Sequence, residues 1–166
     1  MFVLGIDPGL TRCGYGAVRR APNGTLTAVA AGVLRTSVGD DVALRLGALS
    51  LDIDELMDDL RPDAVVVERV FFQTNAHTAI SVAQASGLAL AAAARRSCAI
   101  GQYTSNEVKL AVAGYGAATK LQMQRMVQTL LNLSAHPDPP DAADALALAL
   151  AHCALAPRLA LAAKHS

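Results

Sequence analysis

An α/β fold, a mixed five-stranded sheet flanked by helices on both faces, is predicted from three observations. Residues 2–6, 13–19 and 26–35 read as strands, and the gaps between them are too short for a helix. Residues 63–71 and 98–103 read as two further strands that alternate with helix-length stretches, and this order implies helices on both sides of the sheet. The run DAVVVERVF at 63–71 is continuous and β-branched, as in a strand buried on both faces.

The elements follow in order. FVLGI is the first strand, and Asp7-Pro8-Gly9 closes it with a turn sequence, since Pro presets φ and Gly permits positive φ. A carboxylate at the end of a buried strand also suits a binding site, and the residues alone leave both readings open. Pro22-Asn23-Gly24 splits the next two strands, so the first three form a meander. Val42, Leu46, Leu49, Ile53, Leu56 and Leu60 step by four and three, which predicts a helix over about 41–60, ended by Pro62. Residues 76–96 are rich in Ala, Gly and Ser and predict a helix that can pack closely against another. Thr104-Ser-Asn-Glu107 is a capping-box pattern that opens a helix near 105–113, broken by Gly114 and Gly116. Helices over about 118–132, with Met123, Met126, Val127 and Leu130 inward, and 140–155 complete the chain. No repeat or low-complexity linker divides it.

Composition narrows the class. A hydrophobic content of 53% over 166 residues suits one domain with a large core. Cys13, Cys98 and Cys153 form no CxxC spacing and are odd in number, which predicts reduced, buried thiols rather than disulfides or zinc. No basic residue precedes the short first apolar run, and Arg95 and Arg96 end the Ala-rich stretch 87–94. Neither a secretory signal nor a membrane span is expected, so the predicted location is cytoplasmic. The net charge of +0 hides an asymmetry. Eight of the 14 acids, but only Arg45 and Arg61 among the 14 bases, lie between residues 40 and 63. The remainder is basic, which suits a polyanionic partner as well as it suits scattered surface lysines.

Outside that acidic helix, Glu107 belongs to its capping box and Asp138 to a Pro-rich stretch. Four acids remain. Asp7 and Glu68 sit at the ends of apolar strands, where an unpaired charge is costly. Asp141 and Asp144, in PPDAADALALALA, are three apart at a helix start, on one face and at the positive end of its dipole. Capping uses only one acid, and Asp144 lies about a turn inside. Four carboxylates from three elements suit hard cations such as Mg²⁺. His77, His136, His152 and His165 are scattered, and neither an HExxH nor a Walker phosphate loop occurs.

In order along the chain, LGIDPGLTRCGYG, VVVERVFF, VKLAVAGYGAATK and PDAADALALALAHC resemble the RuvC family of bacterial Holliday junction resolvases, over about residues 2–153. The resemblance implies a ribonuclease-H-like fold, with residues 1–156 as one nuclease domain and 157–166 as a C-terminal tail. It implies a homodimer that nicks four-way junction DNA symmetrically, with RuvA and RuvB as branch-migration partners. Asp7, Glu68, Asp141 and Asp144 match the family's metal-binding acids, for two Mg²⁺ per subunit or Mn²⁺ in their place. Asp7 would then bridge ions about 4 Å apart, the separation typical of two-metal sites. Lys109 and Lys120 match basic residues near the scissile phosphates, with Lys120 offsetting phosphate charge. Phe71 matches the aromatic that probes the opened junction. Phe72 faces the other way on an extended strand, so one ring of the pair belongs to the core. Arg69, counted with the DNA-binding residues, stands where relatives commonly carry Gln, and FFQTNAHT lacks the base that relatives can carry. The small-residue helix 76–96 is the candidate dimer face, and the acidic helix 41–60 is expected to lie away from DNA.

Three alternatives stay open at this level. An ATP-binding fragment of the actin and sugar-kinase type also begins with an acid and a glycine in a first turn, though this chain is short for two lobes. A non-catalytic junction-binding scaffold would show no metal dependence. A small nuclease of the same fold acting on ribosomal RNA precursors is the third.

Overall fold

A computed structural model of the chain describes residues 1–69 and 76–163. Ten elements follow in order: β1 (Phe2–Asp7), β2 (Arg12–Arg20), β3 (Leu26–Arg35), α1 (Val42–Leu60), β4 (Ala64–Glu68), α2 (Ala76–Arg95), β5 (Ala99–Tyr103), α3 (Ser105–Ala113), α4 (Lys120–Leu130) and α5 (Pro140–Ala163). They form the expected α/β architecture. The sheet runs β3-β2-β1-β4-β5. The first three strands pair antiparallel, as short turns require. β1 and β4 pair parallel, as do β4 and β5, because α1 and α2 return the chain to the edge where each preceding strand began.

Each sheet face is covered. Leu4, Ile6, Val65 and Val67 pack against Leu49, Ile53 and Met57 of α1 and Ala85, Ala89, Ala92 and Ala93 of α2. Val3, Val18 and Val66 face the other way, against Val108 of α3, Val127 of α4 and Leu146 of α5. The alternation along β1 and β4 is the period-2 signature of strands, here apolar on both sides.

Local chemistry sets the helix ends. α1 stops at Leu60 because Pro62 follows; Arg61 takes the left-handed conformation and donates its N–H to the Met57 carbonyl. The Thr104–Glu107 capping box is formed as predicted. A second box, Thr119–Gln122, opens α4 and places Lys120 at its first helical position. Thr119-Lys-Leu-Gln122 carries the capping-box signal in the sequence itself and starts the helix two residues after the expected 118. α5 extends to Ala163, beyond the expected helix end near 155.

Three expectations need correction. Leu130, expected on the inner face of its helix, is 38% exposed at the last position of α4. Cys98 is only partly buried, its Sγ 3.3 Å from the Pro62 carbonyl oxygen, whereas Cys13 and Cys153 are buried. Val42, expected on the inner face of α1, is 49% exposed in the first turn, and Met57 takes a core position instead. The acidic face of α1 is partly paired. Arg95 of α2 and Arg96 just after it bind Asp54 at 2.7 and 2.6 Å, and Arg96 also binds Asp58 at 2.8 Å. Among the described residues no helix is long and apolar enough to cross a membrane.

Candidate active site

Strand register brings the first two acids together. Ile6 stands opposite Val67 on the parallel neighbour, so Asp7 and Glu68 leave adjacent strands at the same edge of the sheet. Alternation turns both toward the α5 side: Val3 and Val66 face α5, and Asp7 and Glu68 are an even number of residues further on.

The other two acids arrive on α5. That helix lies against β1 and β2, and at three glycines the strands place no side chain against it. A Cβ at Gly5 would overlap the Ala145 carbonyl oxygen, and one at Gly14 would overlap the carbonyl oxygen of Asp141. At Gly16 a Cβ would stand 2.6 Å from the backbone nitrogen of Leu146. These glycines are functional in effect, because they let α5 carry Asp141 and Asp144 down to the edge where Asp7 ends. The sequence reading missed them. A glycine inside a strand is the available signal for close backbone approach.

Asp7, Glu68 and Asp144 line one cavity of about 240 Å³ together with Lys109 and Lys120. Val108, Met123, Ala147 and Leu148 supply its apolar wall. Burial pushes the Asp7 carboxyl up to about 7, and the neighbouring charges of Asp144, Glu68 and Asp141 push the same way. Glu68 is also raised, by burial and then by Asp144, with Lys109 opposing.

The fourth acid is turned aside. Arg12 Nη2 donates to Asp141 Oδ2 at 2.5 Å, and its guanidinium holds Asp141 below the usual carboxylate range. Lys120 Nζ donates to Asp144 Oδ2 at 2.9 Å, and that bond raises the lysine. Among the described residues, accordingly, no three acidic, histidine or cysteine side chains stand together as a ready-made metal group. The four acids share one electrostatic neighbourhood, but two of them are paired with cations of the protein itself.

The other expected site residues fall as follows. Arg69 donates its backbone N–H to the Tyr103 carbonyl at 2.8 Å and its Nη2 to the Gln102 carbonyl at 3.0 Å, so it ties β4 to β5 and does not line the cavity. Phe71 and Phe72 lie outside the described residues. The acidic helix α1 packs on the opposite face of the sheet from α5. His152 is buried and hydrogen-bonded to the Tyr103 hydroxyl at 3.0 Å, and burial lowers it.

The donor set fits a hard divalent cation. Its groups are oxygen donors only, and Asp7 is partly buried among like charges with no cation bonded to it among the interactions described. A multivalent cation would relieve both the burial and the repulsion.

Known proteins similar to this chain share its fold and its family. The family model described as crossover junction endodeoxyribonuclease RuvC matches residues 3–152. The RuvC of Parafrankia sp. (strain EAN1pec) is 54% identical over 160 residues, covering 96% of this chain and 90% of the relative. The Thermus thermophilus RuvC structure superposes with a TM-score of 0.88 at 36% identity, covering 95% of this chain and 96% of that one. The T. thermophilus RuvC in complex with Holliday junction substrate gives a TM-score of 0.86 at 33% identity, with the same coverage. The fold is therefore ribonuclease-H-like, and it is the family match over residues 3–152 that removes the ATP-binding alternative. By its family match, its relatives and its fold, the chain belongs to the RuvC family of crossover junction endodeoxyribonucleases.

Proposed function

We propose that this enzyme resolves four-way DNA junctions by paired nicks that depend on divalent metal, the working unit being a homodimer of one nuclease domain per chain. The observation that carries the reading is Asp7: a strand-end carboxyl pushed up to about 7 by burial and three neighbouring acids, in a cavity that also presents Lys109 and Lys120. Asp7, Glu68, Asp141 and Asp144 would hold the cations, two Mg²⁺ per subunit with Mn²⁺ as a substitute. Bound there, divalent cations supply water activation and neutralise charge on the phosphate.

The remaining work belongs to the chain. Water attacks phosphorus, the bond to the 3′ oxygen breaks, and the ends are a 5′-phosphate and a 3′-hydroxyl. Lys120 exchanges Asp144 for a non-bridging phosphate oxygen, and Lys109 faces the same cavity from α3. The apolar wall limits competing water and strengthens each charge interaction inside. Rigid elements hold the acids, so little reorganisation accompanies the reaction. Phe71 stacks on an unpaired base, a contact of about 1–3 kcal/mol per base in other single-strand binders. Three free cysteines suit a cytoplasmic enzyme, and RuvA and RuvB are the branch-migration partners in this reading.

The test is incubation of the protein with a synthetic four-way junction and each metal in turn, with cut positions read on all strands. Symmetric nicks on two opposing strands, absent in chelator, are expected. Binding without cutting in every metal would favour a scaffold. Lys120→Ala is expected to slow single-turnover cleavage about 100-fold, the usual cost of losing one charge-stabilising group, with junction affinity little changed. A cleavage rate within about twofold of the unmutated enzyme would remove Lys120 from the mechanism.

The dimer reading points to α2. Its inner face is buried in the core, while Ile80, Gln84, Gly87, Ala91 and Ala94 form an exposed stripe spaced by four and three residues. A two-fold axis through this stripe sets two cavities symmetrically for a two-fold junction. Ala91→Glu would set like charges against each other across that axis. It is expected to halve the mass in sedimentation and uncouple the paired nicks. An unchanged mass would place the interface elsewhere.

A further inference from the structure

Arg12 is bonded to Asp141, the one acid of the four that does not line the cavity. It opens β2, directly after the turn that follows Asp7. Its Nη2 and Nε donate to Asp141 Oδ2 at 2.5 and 3.1 Å, so both bonds fall on a single oxygen. Asp7, Glu68 and Asp144 line the cavity; Asp141 does not.

The pairing is anchored on both sides. Arg12 is in register with Arg35 on β3, and two residues on, Gly14 lies against the backbone of Asp141. The neighbouring Thr11 hydroxyl accepts from Arg45 Nη2 at 2.7 Å, and Arg45 Nε reaches Thr36 at 2.9 Å, which pins the turn to α1. The guanidinium therefore meets Asp141 because the backbones are fixed there. The side chains are 37% and 26% exposed, so water reaches the pair and it can open.

We propose that Arg12 is a positioning residue that competes with the divalent cation for Asp141, so that the metal-free site is paired with itself and loading requires the guanidinium to let go. This rests on the reading of the four acids as a cation site. A guanidinium fork and a hard cation seek the same carboxylate lone pairs, and an oxygen that already accepts two N–H bonds is a poor ligand. Apparent cation affinity then falls by the fraction of time Asp141 is released. Lys120 pairs with Asp144 from inside the cavity, whereas Arg12 acts from outside it.

The test uses Mn²⁺ alone, titrated into full-length protein without DNA and followed by the paramagnetic resonance of the free ion. Four forms are compared: unmutated, Arg12→Gln, Arg12→Lys and Asp7→Asn. Removing a partly exposed ion pair is expected to tighten Mn²⁺ about fivefold in Arg12→Gln. Arg12→Lys keeps the charge but loses the two-nitrogen grip, and is expected to tighten it about twofold. It also stands in if Arg12→Gln folds poorly. Equal or weaker binding in both Arg12 variants would overturn the competition. So would tightening in Arg12→Gln alone, which would assign the effect to charge. Binding in Asp7→Asn as tight as in the unmutated protein would place the cation elsewhere, and both readings would then fall.

Discussion

Asp7→Asn is expected to lower junction cleavage at least about 1,000-fold while junction binding is retained. The amide keeps the size of the side chain and removes the charge that a cation needs. The same substitution should make the metal-free protein more stable, and this opposite effect is the stronger test. The folded state raises Asp7 from 3.8 to about 7. A raised carboxyl favours folding fully below pH 3.8, and that contribution is lost as pH rises toward about 7. At about 1.4 kcal/mol per pH unit, the ionised carboxylate costs the folded state up to about 4 kcal/mol above pH 7. Asp7→Asn carries no such cost. Denaturant unfolding of both proteins in chelator, between pH 4 and 8, should show curves that diverge as pH rises, with the variant ahead at pH 8. Saturating Mg²⁺ should close the gap by stabilising only the unmutated protein. Parallel curves would mean that Asp7 is not buried among like charges, and the site described above would be wrong.

Gly5→Ala should damage stability and activity together. The new methyl group would overlap the Ala145 carbonyl oxygen and stand 3.0 Å from the Ala149 nitrogen. Both are backbone atoms inside α5, so no rotamer change relieves the clash. Either β1 or the helix must shift. Overpacking of this kind costs about 1–3 kcal/mol, occasionally more. For a chain of this size that lowers the melting temperature by about 2–4 °C per kcal/mol, or about 10 °C at the upper end. The shift separates Asp7 on β1 from Asp141 and Asp144 on α5, and misplacement by about 1 Å can cost 100-fold in rate. Cleavage measured well below the melting temperature should therefore fall about 100-fold in protein that is still folded. A substitution such as Gly47→Ala, inside α1 where a Cβ meets nothing within 4 Å, is the control: it should leave cleavage unchanged and raise stability by up to about 1 kcal/mol, as Ala for Gly does within a helix. Normal cleavage by folded Gly5→Ala would mean that the approach of α5 does not set the acids.

The helix over 41–60 was legible because its apolar residues repeat at a helical period, and β4 because its β-branched run has no polar gap. Misjudged positions lay at element ends: Val42 in the first turn of α1, and the last turns of α5. Periodicity weakens there, and tertiary contact decides burial instead.

The site divides in the same way. By itself the sequence determined that Asp7 and Glu68 end apolar strands and that Asp141 and Asp144 share one helical face, because these are statements about neighbours along the chain. Only the tertiary structure decided that the two strand ends adjoin and that three glycines admit α5 beside them. It alone decided, too, that Arg12 reaches Asp141 across 129 residues of chain. Strand order, register and backbone approach arise from packing between distant segments, and no local pattern of residue types encodes which distant backbone will fill the space above a glycine.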